Sequence, residues 1–176
     1  SPQSPLISYC VDVSEIRSFV ASTWKPAPQP TKKLLDNAGI EHSKHATGHY
    51  EVKQALSSGV TQDVFVAKET EYFQRADVRK IWSLVSVSKQ EPDAKLMMRL
   101  LRQSAATKIG SWAVEKNESG EHMVLYVAKL DATAPDQALK ATIDYVARIA
   151  NAMSKQLAPE KAQRNAAETL AGWLAK

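Results

Sequence analysis

The chain has 176 residues, 44% hydrophobic and 24% charged, the composition of a folded domain with its own core and not of a disordered segment. Its net charge of +4 is spread along the whole length, with no cationic block that would read as a polyanion-binding arm. A single cysteine, Cys10, excludes an intramolecular disulfide and any cysteine-based zinc motif, and no apolar run approaches the roughly 18 residues of a membrane-spanning helix.

The chain opens at Ser1 in "SPQSP", so residues upstream are expected to have been trimmed or removed as a signal peptide. The first helical pattern is "DVSEIRSFVASTW", residues 12–24, where Ile16, Phe19 and Val20 recur at helical spacing. "KPAPQP" follows, and Pro26, Pro28 and Pro30 make it an extended connector. Residues 1–30 therefore predict a helical arm with a Pro-rich connector, and residues 31–176 a single α+β domain. Thr31 can cap a short helix, "TKKLLDNAG", that stops at Gly39.

From Tyr50 the period changes to two. "HYEVKQAL" alternates as a strand, "SSG" (57–59) reads as a turn, and "TQDVFVAKETEYF" carries Val64, Phe65 and Val66. "ADVRKIWSLVSVS" places Ile81, Val85 and Val87 on one side and Val78, Trp82 and Leu84 on the other. These three strands predict an antiparallel meander. Helical period returns in "PDAKLMMRLLRQSA", with Pro92 in the first turn and a stripe of Leu96, Met97, Leu100 and Leu101. "IGSWAVEK" and "HMVLYVAKL" then flank "NESGE", a hairpin with Gly120 in its turn and Trp112 facing Tyr126.

A long helix is expected over 135–157, its seam formed by Leu139, Ile143, Val146, Ala150, Met153 and Leu157. A terminal helix over 159–175 would turn Leu170, Trp173 and Leu174 inward. The order helix-helix-β-β-β-helix-β-β-helix-helix gives an α+β fold with an antiparallel sheet of about five strands packed by helices.

"HSKHATGHYE", residues 42–51, is the most direct candidate for chemistry, because His42, His45 and His49 could ligate zinc with an open position. Gly39, Thr47 and Gly48 break any helix there, so the stretch reads as a loop with exposed histidines entering a strand. Glu69 and Glu71 share a strand face, but Lys68 and Thr70 between and beside them favour a solvated strand end over acid–base work. Arg75, Arg79 and Lys80 near Tyr72, Phe73 and Trp82 are the best nucleic-acid candidates, yet strand alternation separates Arg79 from Lys80, so nucleic acid is not the favoured partner. No nucleophile elbow, phosphate loop or dinucleotide fingerprint is present in the sequence.

From about Lys32 to Leu157 the order of elements resembles the YbjN-like and type III secretion chaperone-like families. The resemblance is carried by "KLLDNAG", "GVTQDVFVAKETEYFQRADVRKIWSLVSVSK", "LMMRLLRQSAATKIGSWAVEKNESGEHMVLYVAKL" and "ALKATIDYVARIANAMSKQL". It implies a secretion-chaperone-like binding protein with no catalytic residues and no cofactor, chaperone-like or regulatory in role. Its partner would be a protein or peptide, and a homodimer is a further expectation. The surface nominated for that contact is the flank of the long helix, Tyr145, Ile149 and Met153, together with Trp82. The alternative is a metal- or small-ligand-binding enzyme using His42, His45 and His49. The cytoplasm is the expected compartment; export with a signal peptide removed before Ser1 is the alternative.

Overall fold

A computed structural model describes residues 12–23, 27–57, 59–73 and 76–157. Cys10, Arg75 and the terminal helix expected over 159–175 lie outside the described residues. The elements are α1 (Val13–Thr23), α2 (Thr31–Asn37), β1 (Ser43–Lys44), β2 (Tyr50–Ala55), β3 (Thr61–Val66), β4 (Glu71–Phe73), β5 (Ala76–Ser88), α3 (Ala94–Ala106), β6 (Ser111–Lys116), β7 (His122–Asp131) and α4 (Asp136–Leu157). All strand pairs are antiparallel, in one seven-stranded sheet of order β1-β2-β3-β5-β7-β6 with β4 paired to β5.

The α+β class is as expected, with seven strands where about five were predicted. The two additional strands are short. β1 has two residues inside the stretch read as a loop, and β4 has three, split from the single strand expected over "TQDVFVAKETEYF". Neither is long enough to show an alternation in sequence.

The sheet has two apolar faces. On one, Val52, Val64, Val66, Ile81, Val124 and Tyr126 form a cluster with Leu34 and Leu35 of α2, Leu100 of α3 and Leu139, Ile143, Val146 and Met153 of α4. The seam predicted for α4 is the seam it buries from Leu139 to Met153, while Leu157 at its end is only half-buried. On the other face, Phe65, Trp82, Leu84, Met123 and Leu125 form a second buried cluster. Each such side chain contributes about 1.5–3 kcal/mol on leaving water.

Alternation along β5 is broken once. The pairing with β7 runs Leu84 to Leu125 and then Ser86 to Val124, so Val85 is an extra residue. This β-bulge turns Val87 onto the Trp82 and Leu84 face, correcting the expectation that it sides with Ile81 and Val85.

Local signals set most boundaries. α2 ends in a Schellman motif: Ile40 N–H donates to Leu35 O and Gly39 N–H to Asp36 O, with Gly39 at φ 64°. α3 starts at Ala94, two residues later than predicted, because the Asp93 carboxylate accepts the Leu96 N–H at 2.7 Å and leaves Pro92 outside the helix. Trp112 and Tyr126 pair across the β6–β7 hairpin with ring centroids 4.9 Å apart, as expected. Gly110 enters β6 at φ 78°, where an added Cβ would lie 2.6 Å from Val127 O.

Thr31 ties α2 to the sheet. Its hydroxyl donates toward Ala67 O and Lys68 O, at 2.8 and 3.0 Å, and accepts from Arg79 Nε at 3.0 Å. Thr31→Val removes these bonds and leaves buried polar groups unmet, so it should lower unfolding stability by about 1–3 kcal/mol. Urea unfolding of the two proteins, compared at equal m-value, measures the loss.

Candidate functional site

β1 and β2 pair with Ser43 opposite Glu51 and Lys44 opposite Tyr50, so residues 45–49 form a tight connection. His45 N–H donates to His49 O at 2.9 Å and Gly48 N–H to His45 O at 2.8 Å. The connection distributes the three histidines over both faces of the sheet. His42 meets Tyr50 edge-on at 5.4 Å, on the α4 side. His45 meets Phe65 at 6.0 Å and His49 meets Trp82 at 5.2 Å, both on the opposite face.

Each ring also has its own polar partner. His42 Nδ1 lies 2.9 Å from Ile40 O, and its Nε2 lies 3.8 Å from Asp36 Oδ1. His45 Nδ1 lies 3.0 Å from the Thr47 hydroxyl, and His49 Nδ1 accepts the Lys68 N–H at 3.3 Å. Among the described residues no group of three or more histidines, cysteines or carboxylates could hold a metal. Instead of exposed loop rings, the sequence has half-buried aromatic packing in a hairpin.

The residues nominated for a partner contact are also placed differently. Met153 is 1% exposed within the main cluster, and Trp82 is 2% exposed, stacked 5.9 Å from Phe65. Neither offers surface to a partner. Tyr145 and Ile149 are half-buried against the same cluster, and the Tyr145 hydroxyl accepts the Lys108 N–H at 3.0 Å. The α3–β6 connection thus covers the flank of α4 that the wide apolar stripe left unassigned.

The remaining chemical candidates are dispersed too. Arg79 is buried, and Lys80 lies 5.5 Å over the Trp82 ring. Glu69 pairs with Lys68 at 2.8 Å and Glu71 with Lys129 at 3.1 Å, so the two carboxylates serve separate ion pairs.

What the structure exposes is α3. Its inner side holds Leu96 and Leu100, with the Trp112 Nε1–H donating to Gln103 at 2.9 Å. The predicted stripe is only half buried: Leu96 and Leu100 turn inward, while Met97 is 37% and Leu101 64% exposed, and Met98, outside that stripe, is 50% exposed. Helical spacing puts Met97, Met98 and Leu101 in one strip and Lys95, Arg99 and Arg102 in the strip beside it. Leu96, Met98 and Leu157 of α4 line a groove of about 670 Å³ whose rim carries those three cations. Arg99 donates to the side-chain oxygen of Gln156, which fixes one wall. The sequence signal for this surface was present: four apolar residues in two adjacent pairs span more of a helix than one sheet edge covers.

No family model and no curated protein matches the chain. Among solved structures, the chain is similar to the crystal structure of YbjN, a proposed transcription regulator from E. coli. The identity is 12% and the TM-score 0.42, over 69% of this chain and 88% of that one.

The His49 ring has a testable electrostatic consequence. Burial first, and then the electrostatic influence of nearby His45 and Lys80, lowers its pKa below the ordinary 6.5. The unfolded chain therefore takes up a proton at His49 that the folded chain resists. Its contribution to stability is complete above about pH 6.5 and is lost as pH falls below that value. Melting temperature should fall between about pH 7 and about pH 5, and His49→Gln should flatten that part of the slope. Parallel slopes for the two proteins would remove the assignment.

Proposed function

We propose that the chain is a non-enzymatic module that binds a protein or peptide, with α3 as the contact surface and an acidic amphipathic segment as the occupant. The observation that carries this reading is the exposed Met97, Met98 and Leu101 strip flanked by Lys95, Arg99 and Arg102. Against the three cations the groove lining holds one carboxylate, Asp93, which is engaged by the Leu96 N–H at 2.7 Å, so the groove keeps a basic excess. Methionine side chains are flexible and polarizable, and they adapt to different apolar partners. A groove between two helices is the geometry that receives a helical segment through apolar residues at i, i+3 and i+7.

Charge selects the occupant. In a two-fold dimer built on this face, the basic strip would meet its own copy, and like charges across an interface disfavour that pairing. An acidic partner meets the three cations instead, which speeds encounter and sets orientation. Histidine-based catalysis has less support, since His42 and the His45–His49 pair face opposite sides of the sheet.

Selection from a displayed peptide library tests the reading. Enriched peptides should be acidic with helically spaced apolar residues, and Met98→Asp should weaken them at least tenfold, about 1.4 kcal/mol. Reversing Arg99 and Arg102 to Glu should also reduce the salt dependence of binding. Enriched peptides that are basic, or that bind Met98→Asp unchanged, would refute it.

A further inference from the structure

A second cavity, of about 290 Å³, lies between Pro28, Tyr50, the Lys68–Thr70 bend and Arg79. Arg79 is 1% exposed, among the most completely buried large side chains of the chain. Its Nε donates to the Thr31 hydroxyl at 3.0 Å, Nη1 to Ala132 O at 3.2 Å and Nη2 to Gln29 O at 2.6 Å. All three acceptors are neutral. They fix the position of the guanidinium but do not neutralise it, and a guanidinium has more N–H groups than three acceptors use.

A buried charge costs folding energy unless it is paired. Among the described residues no carboxylate makes an ion pair with Arg79. The carboxylate on the cavity wall, Glu69, is 78% exposed and held by Lys68 at 2.8 Å. Burial lowers the pKa of Arg79. A guanidinium buried beside an open polar cavity, with its charge unmatched, is the arrangement of an anion site.

We propose that this cavity binds a small oxyanion, a phosphate or a carboxylate, on the Arg79 guanidinium. Lys68 supplies the second cation at the mouth, and the hydroxyl-bearing residues Tyr50 and Thr70 complete the lining. The Lys68–Glu69 pair is exposed, and such pairs are weak enough for Lys68 to turn toward a ligand. The volume sets the size class: it falls just short of the roughly 300 Å³ at which pockets for drug-sized molecules begin. The site is independent of the α3 groove, since the two share no lining residue.

The test uses the full chain labelled with ¹⁵N and follows the Arg79 Nε–H resonance. Inorganic phosphate and, separately, acetate are added at fixed ionic strength. A saturable shift with half-saturation at about 1 mM or below is expected for at least one anion, and the one that saturates identifies the source. Thr70→Phe, which narrows the cavity, should raise the half-saturation point at least tenfold. Lys68→Ala, at an exposed position, should raise it severalfold and serves if the first variant does not fold. A shift that grows linearly with both anions, or saturation left unchanged by the folded variants, overturns the proposal.

Discussion

The buried Arg79 guanidinium is the constraint from which the arrangement of this chain follows. Three N–H groups of one rigid, planar group reach the Pro-rich connector at Gln29, the start of α2 at Thr31 and the β7–α4 turn at Ala132. Through the Thr31 hydroxyl the same centre reaches the end of β3 at Ala67 and Lys68. Segments far apart in sequence are thereby held at one point of β5. A lysine could not satisfy them, since a single ammonium cannot address three acceptors in a fixed plane. The position of α2, and with it the burial of Leu34 and Leu35 against α4, is tied to this centre.

Helix placement then divides the molecule by chemistry. α4 lies across β2, β3, β5 and β7, while α3 is left at the β6 margin with a single inner edge to bury. A helix at a sheet margin keeps much of its surface in water, so its apolar residues remain exposed where the same residues at the centre would be core. That difference separates Met153 of α4, 1% exposed, from Met98 of α3, 50% exposed.

The long elements were legible because their periods are sustained: the α4 seam and the β6–β7 hairpin with its Trp112–Tyr126 pair follow from spacing alone. Three other features were not. The Met97, Met98 and Leu101 strip carries the same pattern as a buried stripe, and only the position of α3 at the margin decides its exposure. In sequence His42, His45 and His49 have the pattern of a loop, and a two-residue strand, too short for any periodicity, decides which face each ring takes. Arg79 looked like a surface cation because strand alternation gives its side but not what lies over it.

The bulge in β5 gives that strand two phases. Before Val85 the odd-numbered positions Arg79 and Ile81 face the helices; beyond it Val87 faces away, with Ser86 opposite Val124. The strand is therefore sensitive to length in a way its ends are not. Losing one residue between Arg79 and Leu84 with the bulge kept would carry everything before it to the opposite side. Losing Val85 itself would instead restore strict alternation and leave Ser86 opposite Val124. In this strand the count of residues carries as much structural information as their identity.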